Sequence, residues 1–134
     1  MFFESPSNPA QELVDIRAVS ELAHAAGAQV VVDNVFATPL LQKPLELGAD
    51  IVVYSATKHI DGQGRVLGGA ILGPEEFVNE KVQNLMRHTG PSMSRSTPGC
   101  CSRAWRRCAC GSTPSAPRRC ASPSSSRPTP GSAR

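Results

Sequence analysis

Residues 1–94 contain no cysteine and no tryptophan; all five cysteines of the 134-residue chain, and its one Trp, lie in residues 95–134. An odd number of cysteines confined to one biased segment excludes a disulfide framework as the basis of the fold. That segment in turn has no acidic residue, no lysine, and no Leu, Ile, Val or Phe. Without large aliphatic side chains it has nothing with which to bury a core. No stretch of the chain approaches the ~20 apolar residues of a membrane-spanning helix. The start, Met-Phe-Phe-Glu-Ser-Pro, lacks the basic head and long apolar run of a signal peptide, so a cytoplasmic protein with no membrane partner is the expectation.

Charge is also unevenly spread. Residues 1–94 hold 6 Lys and Arg against 11 Asp and Glu, whereas residues 95–134 hold 8 Arg alone. The formal net charge of +3 is a sum of opposites and gives no ground for a nucleic-acid partner. Composition therefore divides the chain into 1–94, a folded α/β segment, and 95–134, a low-complexity tail.

Within the first segment, periodicity alternates between helix and strand. After the turn-rich Ser5-Pro-Ser-Asn-Pro9, the residues Leu13, Ile16, Val19, Leu22, Ala23 and Ala26 recur at helical spacing, and Gly27 terminates the pattern. Val30-Val-Val32 is a β-branched run of the kind buried on both faces of a sheet, and it ends at Asp33. Pro39 to Gly48 suits one short helix. Ile51-Val-Val-Tyr54 reads as a second strand, ending at Ser55-Ala-Thr-Lys58, and Gly69-Ala-Ile-Leu72 as a third. Pro74 followed by Glu75 and Glu76 predicts a helix running to about His88. Helices alternating with apolar strands through short links predict an α/β fold with a mostly parallel sheet.

In such sheets ligands collect at the carboxyl ends of strands. Asp33 ends one strand, and Ser55, Thr57 and Lys58 follow the end of the next, so a carboxylate, two hydroxyls and an amine converge. Pyridoxal phosphate calls for that set: an amine for its aldehyde, an anion for its protonated ring nitrogen, and hydroxyl donors for its phosphate. Each residue also has an ordinary reading, as a turn carboxylate, a solvated lysine or a local hydroxyl cap. Gly62-x-Gly64 precedes a strand rather than opening a helix, so it is no dinucleotide fingerprint. His59 reads as a structural neighbour of Lys58, and His24 and His88 as helix-surface residues. Cys108-x-Cys110 has no second ligand pair, so no metal site is expected.

Three blocks, Glu4-Ser-Pro-Ser-Asn-Pro9, Val30-Val-Val-Asp-Asn34 and Tyr54-Ser-Ala-Thr-Lys-His59, resemble the signature blocks of the Cys/Met-metabolism family of pyridoxal-phosphate enzymes. The resemblance runs in order from Phe2 to Ser94. It implies part of the large domain of a fold-type I, aspartate aminotransferase-like enzyme. It implies that Lys58 binds the cofactor aldehyde and shuttles protons, that Asp33 partners the pyridinium, that Ser55 and Thr57 hold the phosphate, and that Asn8 lies near the phenolic oxygen. The stretch His59-Ile-Asp-Gly-Gln-Gly-Arg-Val-Leu-Gly-Gly69 is similar to the O-succinylhomoserine sulfhydrylase branch more than to the cystathionine synthases and lyases, which usually carry Gly-His-Ser/Thr-Asp there. The implied substrates are a homoserine ester and a sulfur donor, and the implied assembly is a tetramer.

The same resemblance sharpens the reading of the tail. Allowed codons for Arg95 to Cys108, regrouped after a single added base, spell Pro-Phe-Asn-Ala-Trp-Val-Leu-Leu-Lys-Gly-Leu-Glu-Thr-Leu, the helix expected after the Thr-Gly-Pro-Ser-Met-Ser block. A slip of reading frame near Ser94 is therefore expected. The Glu-Ser-Pro-Ser-Asn-Pro block lies well inside the family's large domain, so the chain reads as a fragment with weak folding and little turnover. The alternatives are a cystathionine γ-synthase or γ-lyase type fragment, and a non-catalytic α/β module whose basic tail contacts nucleic acid.

Overall fold

The apolar runs become strands of one sheet. In the computed structural model, which describes residues 1–91, β1 (Phe2–Glu4), β2 (Val31–Asp33) and β3 (Ile51–Ser55) pair in parallel, and β4 (Gly69–Leu72) pairs antiparallel with β3. The strand order is β1-β2-β3-β4. Helix α1 (Ile16–Ala25) connects β1 to β2. Helix α2 (Thr38–Leu41) and a tighter helical turn at Pro44–Leu47 connect β2 to β3. A wide turn, Ala56–Ile60, follows β3, and α3 occupies residues 75–89 with a wide turn at Val78–Val82 inside it. The mostly parallel α/β sheet expected from the sequence is present. The tail, its cysteines and the proposed frame slip lie outside the described residues.

Helix α1 begins where Asp15 accepts a hydrogen bond from the Ala18 backbone N–H at 3.1 Å, an N-cap that satisfies one of the helix's unpaired donors. It packs through Ile16, Ser20 and Ala23 onto Val30, Val32, Phe3 and Ala49. That is a smaller face than the sequence suggests. Leu13, which precedes the helix, and Leu22 point outward and are 77% and 73% exposed. At Ser20 the approach is close: a Cβ on Gly48 would stand 3.3 Å from the Ser20 Cβ, so the helix sits too near the 44–48 turn for a large side chain at that position. Gly48 itself has φ +100, a conformation glycine adopts without penalty.

Two further expectations are corrected. Residues 39–48 are not one helix. Lys43 precedes Pro44, and the pre-proline clash holds Lys43 at φ −122, ψ 83, while Gln42 is extended at φ −143, ψ 134. The strands are also not buried equally on both faces. Register places Phe3, Val32 and Val52 on one line and Glu4, Asp33 and Val53 on the next. Val32, under α1, and Val52 are buried, whereas on the opposite face Ile51 alone of β2 and β3 is buried and Val31, Asp33, Val53 and Ser55 are half-buried. Strand β1, at three residues, is too short to display a period and has no counterpart in the sequence reading.

A buried polar network joins the strand ends. Asn34, fully buried immediately after β2, donates from Nδ2 to the Gln42 carbonyl and to the Tyr54 hydroxyl, both at 2.9 Å. Its Oδ1 accepts from Gln42 Nε2 at 2.9 Å, and the same Nε2 donates to the Ser5 carbonyl at 2.8 Å. The ends of β1, β2 and β3 are thereby tied to one carboxamide pair. At the other end of the sheet, Asp50 Oδ2 meets His24 Nε2 at 2.9 Å and accepts the Val30 N–H at 2.7 Å.

Replacing Asn34 with Leu keeps its volume but strips partners from Gln42 and Tyr54. It is expected to lower unfolding free energy by roughly 2–4 kcal/mol in urea titration, whereas Leu22→Gln on the exposed face should stay within about 0.5 kcal/mol. Burial opposes ionisation of Asp50, but the Val30 N–H and His24 outweigh it and hold its carboxyl below the usual 3.8. A carboxyl depressed in the folded state stabilises fully above its unfolded value and loses that contribution as pH falls through the folded one. Asp50→Asn should therefore flatten the acid side of the stability-versus-pH curve below 3.8.

Candidate functional site

The carboxyl ends of β1, β2 and β3 carry Glu4, Asp33 and Ser55 as their last residues. Register sets Glu4 beside Asp33 and Asp33 beside Val53, so Ser55 lies two residues further along the same face. Strand spacing and rise put the Asp33 and Ser55 α-carbons about 8 Å apart. This is the less covered face of the sheet, opposite α1.

Each predicted residue occupies this end of the molecule, with different degrees of freedom. Asp33 Oδ1 accepts the Val35 backbone N–H at 3.0 Å, which is the ordinary turn-forming role, while Oδ2 has no hydrogen-bond partner among the described residues. The Ser55 hydroxyl is half-buried and likewise unengaged among them. Thr57 Oγ1 accepts the Gly68 N–H at 3.4 Å, which leaves its O–H free to donate. Lys58 is exposed within the wide turn, and its amine forms no ion pair among the described residues. Asn8 is exposed in the loop leaving β1, where its backbone N–H donates to Glu4 Oε2 at 3.0 Å. No hydrogen bond links any two of the five side chains among the described residues.

His59 fits the structural reading. Its ring meets Tyr54 edge-on with centroids 5.7 Å apart. Burial pushes it below the ordinary histidine value, with a Val35 backbone hydrogen bond acting in the opposite direction. Tyr54 is in turn anchored by Asn34, so the network of strand ends reaches the residue next to Lys58. Sequence reasoning assigned no role to Glu4, Asn34, Gln42 or Tyr54. The one signal in the sequence is a second polar residue, Asn34, after the Asp33 that ends the apolar Val30-Val-Val32 run.

An open carboxylate oxygen stands at the end of one strand, and two hydroxyls able to donate and a solvent-facing lysine stand at and just past the end of its neighbour, at the same edge of the sheet. The donor set fits pyridoxal phosphate, whose ring nitrogen, phosphate and aldehyde want those groups. Among the described residues no group of three or more His, Cys, Asp and Glu is placed to hold a metal ion, and no helix is long and apolar enough to cross a membrane.

Comparison with known proteins agrees with this donor set. The family model described as Cys/Met metabolism PLP-dependent enzyme matches residues 1–104. An O-succinylhomoserine sulfhydrylase of Mycobacterium tuberculosis is 74% identical over 94 residues, covering 70% of this chain and 23% of that protein. One from Pseudomonas aeruginosa is 58% identical over 93 residues, covering 69% and 23%. A solved apo methionine gamma lyase from Micromonospora echinospora superposes with a TM-score of 0.74 at 41% identity, covering 77% of this chain and 28% of that one. The chain thus spans about a quarter of the length of the curated relatives it matches. The solved relative places the fold among the fold-type I enzymes that use this cofactor. On the family model's span and these identities, the chain belongs to the Cys/Met metabolism enzymes that depend on pyridoxal phosphate.

Proposed function

We propose that this chain carries the cofactor-holding part of an O-succinylhomoserine sulfhydrylase, which replaces the succinyloxy group at the γ carbon with sulfur and gives homocysteine when the donor is sulfide. The observation that carries the reading is the placement of Asp33, Ser55 and Lys58 together at the carboxyl ends of β2 and β3, with functional atoms left open. Similarity to sulfhydrylases at 74% and 58% identity supports that reaction over the cystathionine synthase and lyase chemistries of the same family.

Pyridoxal phosphate, when bound, supplies the electron sink for chemistry at the substrate's carbons. Lys58 would hold its aldehyde and then, once displaced by substrate, take up and return protons at Nζ. A lysine suits both tasks because its pKa falls readily on desolvation. Asp33 would turn Oδ2 to the ring nitrogen, where its negative charge keeps a proton in place. Ser55 and Thr57 would donate their O–H groups to phosphate oxygens, and Asn8 would stand beside the phenolic oxygen.

The proposal extends to the whole protein: a cytoplasmic tetramer, in which 1–94 belongs to the large domain and 95–134 is the product of a frame slip. On its own, this chain should turn over little, because Asp33 and Ser55 stay half-open to solvent on the less covered face of the sheet. A site not closed from water and a substrate not held in place each cost orders of magnitude in rate.

Titration with pyridoxal phosphate, followed by visible absorbance after dialysis, tests the reading. A retained band that is absent from Lys58→Ala supports it, and a band of equal strength in both proteins would contradict it. Asp33→Asn is expected to weaken retention by about tenfold or more, since the neutral amide no longer favours the protonated ring nitrogen. Asp33→Asn with undiminished retention would remove Asp33 from the site.

A further inference from the structure

The residue that the proposed site leaves unexplained is Asp61. Its side chain is 0% exposed, three positions beyond Lys58, in the segment that connects β3 to β4. The Arg65 backbone N–H donates to its Oδ2 at 2.5 Å, and Arg65 Nη2 and Nε donate to Oδ1 at 2.8 and 3.2 Å. The backbone bond to Arg65, opposed by burial and reinforced by the guanidinium, holds the carboxyl below its usual value, so Asp61 is an anion. A buried carboxylate of this kind is tolerated because every charge-assisted contact is made.

The bonds around it form a closed loop. At its base, the Ala56 N–H donates to the Gly68 carbonyl at 2.8 Å and the Gly68 N–H to Thr57 Oγ1. In the middle, the Asp61 N–H donates to the Ala56 carbonyl at 3.0 Å and the Gly62 N–H to the Lys58 carbonyl at 2.7 Å. Gly62 and Gly64 turn the chain back with φ +69 and +66, which lets Arg65 reach Asp61. The Lys58 amine has no ion pair among the described residues, so what fixes the root of its side chain is the backbone, at φ −89, ψ −117. That backbone is pinned through the Gly62 bond, and the Asp61–Arg65 clamp fixes Gly62.

We propose that Asp61 is a positioning residue for Lys58: its buried carboxylate, clamped to Arg65, locks the 56–68 loop so that the amine is presented at the carboxyl end of the sheet. The proposal rests on the reading of Lys58 as the cofactor lysine. Asp61 is not a catalytic residue, because its carboxylate is fully buried and both its oxygens are taken by Arg65.

The test uses the full chain, well below its unfolding temperature, with two readouts. Amide hydrogen exchange reports the loop without cofactor, and visible circular dichroism per bound pyridoxal phosphate reports whether the cofactor is held in one orientation. In Asp61→Asn, exchange at Gly62 and Arg65 should rise about tenfold or more while α1 and β2 keep their protection. The induced dichroism per bound cofactor should fall by about threefold or more. Arg65→Lys keeps Asp61 and a cation but loses the two-point contact; it should move both readouts the same way by less, and it decides the matter if Asp61→Asn does not fold. Faster exchange with undiminished dichroism would overturn the positioning role while leaving Lys58 as the cofactor lysine. A wild-type chain that gives no Lys58-dependent cofactor band would instead overturn the reading of Lys58, and the positioning role with it.

Discussion

The carboxamide pair of Asn34 and Gln42 is the constraint from which the rest of the site follows. Parallel strands meet at their carboxyl ends only if something fixes how far each one runs. Here one buried Asn reaches Gln42 and Tyr54, and Gln42 reaches back to Ser5, so the segments just past β1 and β2 are tied to Tyr54 near the end of β3. Asn34, at the centre of the network, is fully buried with both its amide nitrogen and its oxygen engaged, and a buried amide with those bonds broken would be a liability. Asp33 is adjacent to Asn34 and Ser55 to Tyr54, so the groups that would meet a ligand inherit their positions from it.

A second layer is built on the first. Tyr54, held by Asn34, packs edge-on against His59, and His59 is the neighbour of Lys58. The loop beyond is drawn closed by backbone bonds at Ala56 and Gly68. Lysine chemistry needs an amine that is mobile at its tip and fixed at its root. A long side chain on a pinned backbone meets both needs, whereas a lysine on a free loop would lose the second.

Much of this was legible in the sequence. Wholly apolar β-branched runs announced β2 and β3, and the polar residues that broke them, Asp33 and Ser55, are their last residues. What failed to show did so for physical reasons. β1 is shorter than any period. The 39–48 segment looked like one helix because its leucines recur suitably, but the constraint that Pro44 places on Lys43 broke it. Leu22 reads as inward on hydrophobicity, yet the helix buries Ser20 and Ala23 instead, with Ser20 in the position that comes closest to Gly48. The pairings of Asn34 with Tyr54, and of Asp61 with Arg65, depend on how the backbone turns, and no residue pattern along the chain encodes them.

The proposed function turns on Lys58, among the lysines of the described residues, being the one that binds the cofactor. Borohydride reduction of the chain in the presence of pyridoxal phosphate, followed by protease digestion and mass mapping, tests it most directly. The fixed pyridoxyl mark should be concentrated on the peptide containing Lys58, with Lys43 and Lys81 marked only at the background level of other lysines. A mark spread evenly over all three would contradict it.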